Sequence, residues 1–485
     1  MQGTMRQIQF VIGGLVSLAL VACGGGSGGA QPVAPVSPST TIAMAIAAAS
    51  GYPGEPSSCT LAGQKLWLDD YMADQYFWAA NRAVPNSAAD TPGAYFQSQL
   101  FTPTDRYSYS QSAAQFNQFF VEGTRTGYGY SLAYSDSTQT KLQLRLVEPL
   151  SPAAAAGLKR GDTVLAIDGF SPTNIVSGSL TTVSTSGVPR TFTVDNLAGG
   201  TRLVTVVSRT FLLSPVLADR VLTSASGAKV GYLAYQEFTT NSLAAVGAAF
   251  DRFRAAGVTE LIVDLRYNGG GSVTAARALA SLIGGAPLSG RVFAALRYNA
   301  KNAASDFDYP FVGSAASLPT LPLEGLARVM FITSANTASA SELVVNSLLP
   351  FKQVVTVGAA TFGKPYGFLP RSACDVVYNA VNFETFNAAG AGRYNSGLPA
   401  TCSVPDDLSK ALGDPAEGRT AAALGYIQSN ACPAVASTVA QPLATAKNTV
   451  VTQPVHVMPA IKTGAGTVYK EPAFGEINPP RMIVD

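Results

Sequence analysis

Residues 328–364 read RVMFITSANTASASELVVNSLLPFKQVVTVGAATFGK. Arg328 to Thr333 is an apolar, partly β-branched run, which reads as a buried strand. Ser339 to Leu349 reads as a helix with a broad apolar stripe. Gln353 to Val357 is a second apolar strand. A strand, a helix and a strand in such a short stretch form a right-handed parallel crossover. Parallel strands open their following loops on the same carboxyl edge, where α/β sheets place their sites. Ser339 follows the first strand and Lys364 follows the second, so the crossover makes neighbours of residues 25 apart. The chain has one histidine, His456, in a Pro- and Ala-rich tail. A serine nucleophile here needs a base other than imidazole, and Lys364 is the natural one.

Each residue also has a plainer role. Ser339-Ala340-Ser341-Glu342 has the pattern of a capping box, with Ser at the N-cap and Glu at N3. Lys364 on its own reads as a solvated loop lysine. Ser341 is a competing nucleophile, nearer the helix interior. The two residues in register, together with the loop Asp264-Leu265-Arg266-Tyr267-Asn268-Gly269-Gly270-Gly271, favour chemistry. That loop follows a strand at Glu260–Leu265 and opens on the same edge. Asp264 and Arg266 are expected to hold it through ion pairs or turn hydrogen bonds.

Outward from this stretch, residues 225–370 alternate strands and helices. Strands are expected at Lys229–Tyr235, Glu260–Leu265, Arg291–Leu296, Arg328–Thr333 and Gln353–Val357. Helices are expected at Ser242–Ala256, Val273–Ile283 and Ser339–Leu349. The pattern is that of an α/β unit with a largely parallel sheet. Residues 375–432 read as an Asn/Gly/Tyr-rich excursion and then a helix near Thr420–Ile427. Residues 60–82 read as one helix with Leu66, Trp67, Leu68, Tyr71, Met72, Tyr76 and Trp78 as a docking stripe.

Residues 115–212 form a separate unit, with strands at Leu142–Val147, Thr163–Ile167 and Arg202–Ser208. The stretch SPAAAAGLKRGDTVLAIDG, Ser151 to Gly169, resembles a PDZ domain. The resemblance implies that Gly127, Tyr128, Gly129 and Tyr130 form a carboxylate loop, whose backbone N–H groups hold a peptide terminus beside an edge strand.

A PDZ stretch, then DLRxNxGG, then TASASE, then TFGK is an order similar to that of the serine–lysine C-terminal processing, or tail-specific, peptidases. The likeness spans roughly residues 60–432. It implies an α/β core built as a crotonase/ClpP-like spiral of ββα units, with the PDZ unit and an N-terminal helical segment attached. It further implies Ser339 as nucleophile, Lys364 as general base, and the amides of Gly270 and Ala340 as oxyanion donors. A helix opening at Ser339 would aim the Ala340 amide at a developing oxyanion, and one such donor contributes about 3–4 kcal/mol. A neutral lysine near pH 7 needs its pKa lowered from ~10.4 by roughly 3, which burial can supply. Phe362, Pro365, Tyr366 and Phe368 offer the apolar shell. Many relatives carry Gln four residues after the lysine to orient it. Here that position is Phe368, so another group or packing must do so.

The N-terminus resembles a bacterial lipoprotein signal. Ile8 to Ala22 is apolar but short for a membrane span, Leu20-Val21-Ala22 precedes Cys23, and a Gly/Ser run follows. The reading is a signal peptide over 1–23 with a lipid on Cys23, a linker over 24–56, a helical segment over 57–114, the PDZ unit over 115–212, the peptidase core over 213–432 and an irregular tail over 433–485. Gly24 after the cysteine points to the outer membrane, facing the periplasm. Export leaves Cys59, Cys374, Cys402 and Cys432 in an oxidising compartment, where two disulfides and three connectivities are available, with Cys402–Cys432 favoured. The chain is 47% hydrophobic and 13% charged with a formal charge of +2, which argues against a nucleic-acid partner. No metal and no cofactor is implied. The expected partner is a protein or peptide with a free C-terminus. The rival readings are a non-catalytic peptide-binding scaffold and an apolar-ligand binder on the same core.

Overall fold

Two six-stranded sheets carry the core. The computed structural model describes residues 54–135, 141–180, 183–313 and 318–433. It also describes the backbone of Ile461–Lys462, Thr467–Val468 and Arg481–Ile483. Cys23 and most of the linker lie outside the described residues.

The first sheet runs Cys402–Ser403, Gln353–Gly358, Arg328–Thr333, Glu260–Asp264, Lys229–Tyr235, Val216–Thr223. All neighbours are parallel except the last pair. Val329, Met330, Phe331 and Ile332 are all buried, as a strand covered on both faces requires. The helices Leu243–Ala255, Val273–Gly284 and Ala340–Leu348 cover one face through Phe250, Leu279, Leu343 and Val344. The helix Gly418–Ser429 covers the other through Ala422, Ala423 and Ile427. Each such buried Phe, Leu, Val or Ile side chain contributes roughly 1.5–3 kcal/mol. The expected crossover is present, so the Ser339 and Lys364 loops leave the same edge.

The second sheet departs from expectation. It runs Gly270–Ser272, Arg481–Ile483, Tyr366–Phe368, Val381–Phe386, Val292–Tyr298, Phe307–Pro310. The strand expected at 291–296 in the parallel set belongs here instead, antiparallel to Val381–Phe386 and Phe307–Pro310. Its partner comes from the region read as an excursion, which also holds the strand Val376–Asn379. The tail, read as irregular, contributes one strand to this sheet.

The N-terminal helix is shorter than expected. It spans Leu61–Gln75, and the chain turns at Tyr76. Trp67, Leu68, Tyr71 and Met72 are buried, whereas Leu66 is 68% exposed. Leu66 is two residues from Leu68, and that step on a helix puts it on the opposite face. The buried stripe packs on Phe96, Ala373 and Tyr378.

Residues 130–207 form an antiparallel sheet ordered Tyr130–Tyr134, Leu142–Val147, Thr163–Ile167, Pro189–Asp195, Thr201–Val207. The short helix Pro152–Ala155 starts where its sequence says it should. Ser151 Oγ accepts the Ala154 N–H at 3.2 Å, and Pro152 occupies the first helical position. The ribbon of Thr124–Gly127 and Arg209–Leu212 joins this unit to the core.

Candidate active site

Ser339 stands at the mouth of the helix Ala340–Leu348, with φ 60° and ψ −115°. A non-glycine residue held in that region costs on the order of 1–3 kcal/mol and persists only where its surroundings enforce it. The Ser339 side chain is buried, and its Oγ has no hydrogen-bond partner among the described residues. A buried, unsatisfied hydroxyl on a strained backbone is poorly explained by stability alone. Ser341 differs: its Oγ donates to Asn268 O at 3.1 Å. The competing serine is therefore engaged in holding the glycine loop.

Glu342 makes its half of the expected capping box. The carboxyl of Glu342 is fully buried and takes four donors. Oε2 accepts the Ser339 N–H and the Lys364 N–H, each at 2.8 Å. Oε1 accepts the Gly363 N–H at 2.7 Å and the Thr361 hydroxyl. The backbone nitrogens of Ser339 and Lys364 thus share one oxygen and lie no more than twice that distance apart. Burial pushes the Glu342 carboxyl above its ordinary range, and the four donors pull the other way. A proton on either oxygen would face a donor. The Thr361 hydroxyl also accepts the Leu398 N–H at 2.7 Å.

Lys364 is completely buried. Its Nζ sits 3.5 Å from the centroid of the Phe368 ring. The position where relatives were expected to carry Gln thus supplies an aromatic face against the amine. The loop that presents Lys364 is pinned from the N-terminal segment. Tyr107 Oη donates to Gly363 O at 2.8 Å, and Arg106 donates to Phe362 O and Asn395 O at 3.0 Å each. Gly363 has φ +91°, and a Cβ there would meet Asn395 O at 2.3 Å, so only glycine fits.

The two expected oxyanion donors are not equivalent. The Gly270 N–H, one of the two, donates to Asn268 Oδ1 at 2.8 Å. The Asn268 side chain is itself fixed by donating to Tyr235 O at 3.0 Å. The Ala340 amide opens its helix and has no acceptor among the described residues.

Behind the glycine loop lies an ion-pair network. Arg266, 1% exposed, contacts Asp264 at 2.8 Å, Asp406 at 2.8 Å and Glu417 at 2.7 Å. Asp264 and Arg266 therefore hold the loop, as the sequence suggested. Arg160, from the 130–207 unit, reaches the same Asp406 at 3.1 Å. Burial alone would raise the Asp406 carboxyl, but Arg266, Arg160 and Arg419 outweigh it and hold it well below the usual range. Glu417 is likewise held low: burial is opposed by its bonds to Arg266 and Thr420.

Gly127 to Tyr130 lies ahead of the edge strand Tyr130–Tyr134. Tyr128 O and Gly129 O accept the amides of Ala153 and Glu148, each at 2.9 Å. The four described cysteines pair as Cys59–Cys374 and Cys402–Cys432. The first fastens the N-terminal helix to the hairpin beyond Lys364. The described residues contain no cluster of three or more His, Cys, Asp or Glu that could hold a metal ion.

The profile of Peptidase family S41 matches residues 229–372, a span that includes Ser339 and Lys364. The carboxyl-terminal-processing protease of Picosynechococcus sp. (strain PCC 7002) is 29% identical over 316 residues, covering 62% of this chain and 70% of that one. The enzyme of the same name from Synechocystis sp. (strain PCC 6803) is 29% identical over 307 residues, covering 61% and 68%. A solved structure from Bacteroides fragilis NCTC 9343, assigned to the S41 proteases, aligns with a TM-score of 0.62 and 26% identity, covering 75% of this chain and 97% of that one.

Proposed function

We propose that this chain, whose residues 229–372 match Peptidase family S41, is a serine endopeptidase that cleaves proteins near their C-termini through Ser339 and Lys364. The observation that carries the reading is the shared carboxylate oxygen of Glu342, which holds the backbones of both residues side by side. In this mechanism Lys364 Nζ, neutral, takes the Ser339 Oγ proton as that oxygen attacks the scissile carbonyl. The Ala340 amide and the helix start behind it stabilise the oxyanion. The C–N bond then breaks, and the Lys364 ammonium returns the proton to the leaving amine. Water, deprotonated by the same amine, hydrolyses the acyl-enzyme ester. Gly270 can join the oxyanion hole only if its N–H leaves Asn268.

Burial of Lys364 favours the neutral base, while the Phe368 face favours the ammonium that forms next. A side chain that must hold a proton for part of each turnover gains from both. The Phe368 ring stands at the position where many relatives carry the amide that orients the lysine.

Substrate selection by the 115–212 unit, through the backbone of Gly127 to Tyr130, fits cleavage near a C-terminus. Lipidation of Cys23 would tether the enzyme to the outer membrane on its periplasmic side. The test is to incubate the chain with an unfolded protein substrate and identify the products by mass spectrometry. New C-termini near the substrate's end are expected, and none with Lys364→Arg, since guanidinium stays protonated near neutral pH. Undiminished cleavage by Lys364→Arg would remove Lys364 from the mechanism.

A further inference from the structure

The strand Arg481–Ile483 does not sit at an edge of the second sheet. It lies between Gly270–Ser272 and Tyr366–Phe368, parallel to both. Arg481, Met482 and Ile483 pair with Gly270, Gly271 and Ser272, and Ile483 also pairs with Phe368. Its two neighbours do not pair with one another. Without it they would leave two facing unpaired edges, about two strand spacings or roughly 9.5 Å apart. One wall of this slot is the glycine loop beside Ser339. The other begins two residues after Lys364, and the helix that Ser339 opens lies against the inserted strand. The glycine wall contributes no side chain at two of its three positions. Gly271 must stay bare, because a Cβ there would meet Phe238 O at 2.0 Å.

We propose that this slot receives an extended peptide as an added strand, and that the chain's own segment 481–483 occupies it in competition with substrate. Recognition runs through main-chain hydrogen bonds, so the slot takes unfolded segments of varied sequence and discriminates against proline where a ladder N–H is needed. Residues already in secondary structure cannot enter. The consequence is a chain that restrains itself until a substrate strand displaces 481–483. The effect on turnover rests on the peptidase reading above, whereas the binding does not.

The experiment separates the two. A fluorescein-labelled peptide with the sequence of residues 479–485 is titrated into three Ser339→Ala proteins and followed by anisotropy. These are the full chain, a chain ending at residue 476, and the full chain with Met482→Pro, which removes one N–H from an inner strand and guards against misfolding of the shortened chain. The peptide is expected to bind the shortened and Met482→Pro proteins at least tenfold more tightly than the full chain. With Ser339 intact, the same two changes should lower KM for an unfolded protein substrate by about tenfold, in line with the freed slot, with kcat little changed. Equal peptide binding by all three proteins, or unchanged KM alongside normal turnover, would overturn the proposal and leave the peptidase reading standing. Selective peptide binding without turnover in any form would support the slot and overturn the peptidase reading.

Discussion

Replacing Glu342 by Gln changes no volume and should still disable the site. Both carboxylate oxygens accept, two donors on each, and the side chain is fully buried. A glutamine amide must turn its NH2 toward one pair. Either Gly363 N–H and the Thr361 hydroxyl lose their acceptor, or Ser339 and Lys364 do. Two hydrogen bonds to a charged group, at about 1.5–3 kcal/mol each, are replaced by donors facing donors. Relief of a buried charge offsets part of this, so the net loss should be about 3 kcal/mol of stability. The same change loosens the backbones of Ser339 and Lys364, and at 1.4 kcal/mol per decade an equal loss in the transition state lowers kcat on the order of 100-fold. Urea unfolding read by tryptophan fluorescence gives the first quantity, because Trp78 packs 4.9 Å from the Tyr366 ring beside the lysine loop. Peptide turnover gives the second. Stability within about 1 kcal/mol of the parent together with unchanged kcat would refute the role assigned to Glu342.

Arg266→Met should destabilise by about 3–5 kcal/mol, because it leaves the buried carboxylates of Asp264 and Glu417 without their counter-charge; urea midpoints compare it with the parent. Acid should act through the same network. Asp406 and Glu417 are held below their unfolded values of ~3.9 and ~4.3, so their stabilisation is complete above that range and is lost as pH falls through the depressed folded values. The slope of stability against pH below ~4 should therefore flatten in Arg266→Met. The pair Cys402–Cys432 closes a separation of 30 residues, so replacing both by Ala should lower stability by about 3–4 kcal/mol, measured by the same unfolding under non-reducing conditions.

The local half of this architecture was open to reading from sequence. The strands Lys229–Tyr235, Arg328–Thr333, Leu142–Val147 and Thr163–Ile167 lie where hydrophobic pattern put them, and the ends of the core helices differ by a residue or two. What pattern could not supply was pairing over distance. Val292–Tyr298 looks like any apolar strand, and only Val381–Phe386, far along the chain, decides that it leaves the parallel sheet. Val376–Asn379 and Val381–Phe386 were hidden by the Asn- and Gly-rich sequence around them. Leu66 was counted into the buried stripe because the run around it is apolar throughout, which blurs the helical period. At the site, Glu342 was visible as a cap for Ser339, and that signal was correct as far as it went. Its hold on Gly363 and Lys364 depends on a loop about twenty residues away, and the grip of Arg106 and Tyr107 on that loop crosses 256 residues of sequence. Phe368 was seen as a missing amide, and only the folded chain gives its ring to the lysine.

The central claim is that Ser339, the unpartnered hydroxyl, is the nucleophile, and that Ser341, bonded to Asn268 O, is not. The most direct measurement is kcat/KM on one unfolded substrate for Ser339→Ala and Ser341→Ala, each checked for folding by urea unfolding. The account predicts no turnover above background for folded Ser339→Ala. It predicts retained turnover for Ser341→Ala, reduced only as far as the loss of one bond to the glycine loop requires. Turnover by Ser339→Ala, with none by a folded Ser341→Ala, would contradict it.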